Sequence, residues 1–424
     1  MGGSVFASGA NPLYTPRMPL SIYHKAKKQC IASLKPYFLH VVSAIEGPAK
    51  PNFGDIDILV CTRKVELPLD IPNDFTLIRH ALSAVRAIQN RPTANYAIPW
   101  PVVPGSTKHE KDVHDKPQFI QVDVRVCDSV EKMQWMLFKH GHGDLWNILG
   151  TTIRPYGLTV DEECLSIRIP EIERANKKLA KVPLTSDPRE VMDVLGLQYA
   201  GYWDMPFATV DDLFEYAATS PLFWVQPAAE GNDMETQLAK RRQNLKSNDR
   251  KRMKNRPVYS RWIEEFLPRC GIEGRFVDQR KTRDSVRDEV FLRFDVEGEY
   301  MKRLRQFNVE EQQRKIKEYI HKFFNDQDFA DDLYRGCAMK GLKRYLLTGD
   351  TTFGIGYTQP LKHVDGTYIM KNVEEFIDLK FSSVAEAQLA EHNAKRGQWV
   401  AKLDVEKKLE ELDIEENKPV TLEG

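Results

Sequence analysis

The 424-residue chain has no C-x-x-C pair, no net charge and no long apolar run. Each absence removes a class. Its six cysteines (Cys30, Cys61, Cys127, Cys164, Cys270 and Cys337) are scattered, which argues against a zinc site built on paired thiolates and for reduced thiols in an intracellular compartment. No segment approaches the roughly 18 apolar residues of a membrane span, and nothing near Met1 resembles a secretory signal. Lysine plus arginine and aspartate plus glutamate both number 61, so affinity for a polyanion has to come from local patches and not from bulk basicity. The expectation is a soluble intracellular protein with no membrane partner. Hydrophobic content of 42% is ordinary for such a chain, and the length accommodates two or three domains. There is no internal repeat, and nothing indicates an oligomeric state.

What is present begins with "NFGDIDILV", residues 52 to 60. Ile56, Ile58, Leu59 and Val60 are strand formers, and residues two apart on a strand share a face, so Asp55 and Asp57 lie side by side. Two carboxylates held that way repel, and each loses hydration; a cation or a proton relieves them. An oxygen-only pair suits a hard ion such as Mg²⁺, whose octahedron is completed by water and substrate phosphates. A solvated strand end is the plain alternative.

Around this strand the patterning alternates between helix and strand. "LSIYHKAKKQCIASLKPYF" has helical spacing and "HVVSAI" reads as a strand. Residues 74 to 89 read as one helix with Asp74 as N-cap. In "QFIQVDVRVCD" Phe119, Gln121, Asp123 and Arg125 alternate with Ile120, Val122, Val124 and Val126, which places Asp123 on the less apolar face of a strand. A helix follows near 129 to 139, then the turn "HGHGD", a helix from about Leu145, and two short strands in "YGLTVDEECLSIRI". Residues 299 to 325 and 369 to 395 are helical in period and dense in charge.

Asp123 lies 66 residues after Asp57. Were the two strands neighbours in one sheet, all three carboxylates would reach two divalent ions, Mg²⁺ or Mn²⁺, able to activate an attacking oxygen and stabilise a leaving pyrophosphate. Upstream, the turn "EGPAKP" offers backbone N–H groups and the Lys50 ammonium to a triphosphate.

In order and spacing these segments resemble the nucleotidyltransferase superfamily, in particular the palm and thumb of the family X DNA polymerases. "GDIDILV" is similar to the family's first two metal aspartates and "VDVRV" to its third. "HGHGDLWNIL" is similar to the glycine turn that precedes the nucleotide-contacting pair, which implies that Asp144 and Asn147 face the incoming nucleotide with Trp146 between them. "RPYGLTVDEECLSIRIPE" resembles the thumb strands, and "PLTSDPREVMDVLGLQYAGYW" the terminal helix. The resemblance covers residues 19 to 205. It implies an α+β fold with a mixed sheet and flanking helices, followed by a mostly helical C-terminal domain. It further implies two metal ions held by Asp55, Asp57 and Asp123, an NTP or dNTP substrate contacting Gly47 and Lys50, and transfer to a nucleic-acid 3′ end. Three departures accompany it. The phosphate turn carries Gly47-Pro48 and is about three residues short. Lys139 and His140 stand where the family places its sugar-facing aromatics. Only about 40 residues precede the turn, too few for helix-hairpin-helix domains, so distributive addition is expected.

The remaining signal is a basic stretch, "KRRQNLKSNDRKRMKNR" at residues 240 to 256, with nine basic residues and one acidic, Asp249. Lys240, Arg241, Arg242, Arg250, Lys251 and Arg252 are its clustered cations, suited to a phosphate backbone and matching a bipartite nuclear-import pattern; a solvated helix face is the plain reading. The expected organisation is thus an irregular 1–18, a palm-like 19–150, a thumb-like 151–205, a linker and basic arm 206–256, a helical domain 257–403 and an acidic tail 404–424. A catalytically inactive protein of the same fold, or transfer to a protein or small molecule, remains the alternative.

Overall fold

The computed structural model describes residues 3–64, 73–101, 117–227, 243, 245–279, 281–327, 329 and 331–416. The chain divides into two compact units, Met1–Val296 and Glu297–Gly424. The division falls 40 residues beyond the boundary expected at 256/257.

The first unit is a mixed α+β structure. A short strand β1 (Met18–Pro19) leads into helix α1 (Leu20–Leu34) and strand β2 (Phe38–Val42); β3 (Asn52–Phe53) and β4 (Asp55–Arg63) follow. Helix α2 (Asp74–Ala81) is capped by Asn73, whose side chain accepts from the Thr76 N–H, and not by Asp74 as expected. This helix stops eight residues early. Ser83 turns left-handed at φ +51°, and the chain re-enters as strands β5 (Arg86–Asn90) and β6 (Thr93–Pro99). Apolar residues at 82, 85 and 88 mimic helical spacing, yet cross-strand pairing decides the conformation. Strand β7 (Phe119–Cys127) completes a five-stranded sheet in the order β2-β4-β7-β6-β5, in which only β4 and β7 run parallel.

The even-numbered residues of the central strands (Ile56, Ile58, Val60, Val122, Val124, Tyr96) are buried with Tyr23, Ala26 and Leu34 of α1 and Phe75, Leu77 and Ile78 of α2. One face of the sheet is therefore core. The odd-numbered residues face the other way, where helix α3 (Val130–His140) packs Met133 on Cys61 and Cys127. Beyond α3 come α4 (Leu145–Ile153), an antiparallel sheet of β8 (Leu158–Val160), β9 (Leu165–Arg168) and β10 (Lys181–Thr185), and the short helices α5 (Pro170–Ala175) and α6 (Pro188–Val194). Helix α7 (Val210–Ala218) opens with a capping box between Thr209 and Asp212. Its Phe214 meets Trp262 and Phe266, which lie in a π turn, Trp262–Phe266, joining α9 (Pro257–Arg261) to α10 (Leu267–Ile272). Pro268 lies two residues beyond the π turn, and its ring and missing N–H exclude the ordinary helical bond to Glu264 within it. Helix α8 (Ser247–Asn255) precedes this run and α11 (Arg283–Phe294) follows it.

Residues 3–17 are irregular in backbone, as expected, but firmly anchored. Phe6 is buried, Tyr14 bridges to Gln118, and Arg17 donates to the Asn52 side chain and carbonyl.

The second unit consists of three long helices, α12 (Glu297–Asn325), α13 (Asp332–Thr348) and α14 (Met370–Glu416), around Ile316, Ile320, Phe324, Leu342, Leu346, Phe376, Ile377 and Val384. Helix α14 continues through residues 404–416, where a frayed acidic tail was expected. Among the described residues no helix is long and apolar enough to cross a membrane, and all six cysteines are free thiols.

Gly341 sets the spacing of α13 and α14: a Cβ there would lie 2.7 Å from Val384 Cγ1 and 3.2 Å from the Val384 carbonyl oxygen. Gly341→Leu should therefore destabilise the second unit by about 2 kcal/mol through overpacking, despite better helix propensity. Thermal unfolding of the full chain checks this; an unchanged or raised midpoint would mean that the two helices are not held this closely.

Candidate active site

The parallel pairing of β4 with β7 sets the site. Its register places Asp57 directly opposite Asp123 and Asp55 opposite Gln121, and neighbouring strands are about 4.8 Å apart. Asp55, Asp57 and Asp123 therefore share the odd-numbered face, the one not given to the core. On the far side of β7 the antiparallel register brings Asn95 opposite Asp123. The Asp123 Oδ1 accepts from Asn95 Nδ2 at 2.6 Å and from Gln121 Nε2 at 2.9 Å.

All three carboxyls are pushed up. Burial is the largest cause for each. Asp57 reaches about 7 because Asp55, Asp123 and Glu46 add their repulsion, with His140 opposing. Its surface is open to water, yet protein crowds around it, so solvent touches the carboxyl without enclosing it. Asp55 is eased by Lys50 and Arg17 and by the Gly3 backbone N–H. Asp123 is eased by its two amide donors.

The N-terminal segment closes one side. Gly3 takes φ +88° and approaches so closely that a Cβ would lie 2.2 Å from the Gly54 carbonyl oxygen. The Val5 N–H donates to Gln121 Oε1 at 3.0 Å, continuing the amide chain that ends on Asp123.

The expected phosphate turn forms a second side. Gly47 lies against Gly143, a Cβ on either glycine meeting the other's Cα at 3.0–3.2 Å, and the His142 N–H donates to the Ile45 carbonyl at 2.8 Å. The turn and the "HGHGD" segment, about 95 residues apart in sequence, are thus in backbone contact. Glu46, which the sequence reading did not single out, accepts from the Tyr23 hydroxyl and pairs with Lys27 at 3.3 Å and Lys50 at 3.5 Å. The Lys50 ammonium sits 4.4 Å from the centre of the Phe53 ring.

The residues of "GDLWN" separate into two groups. Asp144 Oδ1 accepts from Asn147 Nδ2 at 3.1 Å and from Arg256 Nη1 at 2.7 Å, so the two residues expected to face a nucleotide hold each other and a cation from a distant segment. Trp146 requires a correction. It is buried, and its indole N–H donates to the Phe138 carbonyl at 2.8 Å and the Tyr202 hydroxyl at 3.0 Å; an indole with its donor and faces engaged in core packing has nothing left for a ligand. Arg125 faces Glu162 at 3.9 Å and not the aspartates. Glu162 also gathers His140 at 3.8 Å and Lys139, and these partners, His140 foremost, hold its carboxyl down at about 2.

Of the basic stretch, Lys240, Arg241 and Arg242 lie outside the described residues. Helix α8 carries the rest and is docked. Asp249 is buried and pairs with Arg154 at 2.6 Å and Arg252 at 2.7 Å. Arg252 is therefore an internal partner, correcting its expected place among cations open to a nucleic acid. Arg250 and Lys251 are exposed.

An all-oxygen donor set on one face of adjacent strands fits a hard divalent cation. Among the described residues, however, no three His, Cys, Asp or Glu side chains already stand where they could hold a metal ion.

No family model matches the chain, and neither does any curated protein. Among solved structures it is similar to polymerase beta of Leishmania infantum in its ternary gap complex, at 18% identity over 45% of this chain and 70% of that one, with a TM-score of 0.30. The ternary P/T complex of the same polymerase gives 16% identity over 45% and 77%, again at 0.30.

Two outcomes follow from the charges. In metal-free buffer, folded Asp57 keeps a proton until about pH 7, whereas unfolded aspartate releases it near 3.9. The stability that this bound proton confers is complete below about pH 4 and lost as pH rises through 7. Urea midpoints measured with EDTA should fall over that window in the wild type, and the fall should be smaller in Asp57→Asn; equal slopes would remove Asp57 as the source. Asp249 behaves oppositely. Burial raises its carboxyl, but Arg154 and Arg252 outweigh burial and hold it below the usual range. Its contribution is present above about pH 4 and lost as pH falls through the lowered value. Asp249→Ala should cost about 2–3 kcal/mol in denaturant unfolding, somewhat below a fully buried pair because both arginines are partly solvated; a loss under 0.5 kcal/mol would show that α8 does not depend on it.

Proposed function

We propose that this chain is a metal-dependent nucleotidyltransferase, taking an NTP or dNTP and adding its nucleotide to a hydroxyl at a nucleic-acid 3′ end. The observation that carries the reading is the β4–β7 register, which sets Asp57 against Asp123 with Asp55 two residues away, on a face whose crowded negative charge calls for a cation.

Asp55, Asp57 and Asp123 would hold Mg²⁺ or Mn²⁺, two ions in the full complement. When bound, such ions supply neutralisation of phosphate charge and Lewis-acid activation of the attacking oxygen. The residues of the chain do the positioning. Lys50 and Lys27, now shared with Glu46 beside the phosphate turn, are available to a triphosphate that displaces that carboxylate. Gly47 lets the turn reach the Gly143 backbone, and Pro48 removes one N–H that the turn would otherwise offer. Asn95 and Gln121 fix Asp123, the carboxyl assigned to take the proton of the attacking hydroxyl. In the transfer, the hydroxyl oxygen bonds to the α-phosphorus and the bond to the bridging oxygen breaks; pyrophosphate leaves, and the proton passes to Asp123.

A second reading has its own observations. A chain that kept the fold without catalysis would be content with carboxylates that do not converge, with Lys50 paired to Glu46, and with Asp144 closed by Arg256. The two readings differ on one measurement. With each labelled NTP and dNTP, Mg²⁺ or Mn²⁺, and single-stranded or duplex DNA or RNA, the wild type should extend an acceptor, and Asp57→Asn and Asp123→Asn should each abolish extension while metal-free thermal stability stays level or rises. Mg²⁺-induced stabilisation should disappear with activity. Transfer at the wild-type rate in either variant would take these residues out of the mechanism, and no extension by the wild type on any acceptor, protein included, would favour the inactive reading.

A further inference from the structure

Helix α8 is held by charge rather than by apolar contact. Of its nine residues, "SNDRKRMKN", only Met253 is apolar. Asp249, Arg252 and Arg256 recur every three to four residues and so share one side of the helix and its end. That side faces the body of the unit: Asp249 is buried against Arg154, and Arg256 reaches Asp144, next in sequence to the Gly143 that lies against Gly47. The opposite stripe is Ser247, Arg250, Lys251 and Lys254, at spacings i, i+3, i+4 and i+7, all exposed. No described ion pair involves Arg250, Lys251 or Lys254. Three unneutralised cations are thus displayed within about 6 Å along the axis of a docked helix, and the same helix ends at Arg256, the partner of Asp144.

From this geometry we infer that the Arg250–Lys251–Lys254 stripe is a backbone-binding rail for a nucleic-acid strand, pinned by Asp249 and leading to the carboxylate cleft. A strand is favoured over a lipid surface because a membrane-lying helix needs an apolar face, and α8 has none. The direction of the rail toward the cleft rests on the nucleotidyl-transfer reading; binding by the stripe does not.

Binding is therefore measured without catalysis, by fluorescence anisotropy of a labelled single-stranded oligonucleotide with the full chain in EDTA across a salt series. The triple variant R250Q/K251Q/K254Q should lose at least tenfold in affinity at low salt, and its log–log salt slope should fall by about 2, near 0.7 per contact. K251E alone should weaken binding in the same direction. R174Q/K177Q/K178Q removes the same charge from the exposed end of α5 and the loop after it in the same unit and should leave the slope unchanged. An unaltered slope in the stripe variant overturns the rail, as does an equal loss in the loop variant, which would mean net charge alone. Stripe-dependent binding to phosphatidylserine vesicles with no oligonucleotide binding also overturns it. Normal strand binding with no nucleotide transfer would leave the rail standing and sink the enzymatic reading instead.

Discussion

The site depends on the crowding of three like charges on one face of two parallel strands. Once β4 and β7 align with Asp57 against Asp123, the surroundings must supply positive charge or hydrogen-bond donors, because carboxylates removed from bulk water without compensation are costly. The neighbours of the site follow from this. Two side-chain amides hold Asp123, a backbone N–H, Lys50 and Arg17 ease Asp55, and Asp57 has only the weaker opposing charge of His140. Asp57 has the least compensation and is the most displaced. A protein selected only for stability gains nothing from such an arrangement, which is why clustered perturbed carboxyls draw attention as a candidate site.

Helix α8 shows a different use of buried charge. A paired buried carboxylate contributes little net stability compared with apolar packing, but it fixes position, since Asp249 is satisfied only where Arg154 and Arg252 both reach it. A helix with almost no apolar surface can be placed in no other evident way. The single acidic residue in a run of cations, easily passed over as noise, is the residue that orients all the others.

Much of the fold was legible in the sequence, and the limits were physical. The alternation in residues 119–127 gave the strand, its faces and the company of Gln121 with Asp123, because a strand's period is a local property. The meeting of Asp57 with Asp123 was only conditional, since adjacency of strands 66 residues apart is not local. Residues 82–89 deceived because Leu82, Val85 and Ile88 stand at helical spacing, whereas the partner strand, Thr93–Pro99, makes the choice. Trp146 was assigned to a ligand through its place between Asp144 and Asn147, whereas consecutive helical residues diverge by about 100° around the axis and one of them faces the core. Glu46 and Asn95 carried no local signal at all. Their roles arise only from neighbours that the fold supplies, as does the contact between Arg256 and Asp144, 112 residues apart.

The anchoring of residues 3–17 has a practical side. Gly3 presses on Gly54 with no room for a side chain, and its N–H touches Asp55, so the start of the described chain lies beside the carboxylate strand rather than free in solvent. An affinity tag or fusion partner joined ahead of Gly3 would therefore be held close to the Asp55 carboxyl. Metal or nucleotide binding measured on a preparation tagged there would then report the tag as much as the carboxylates.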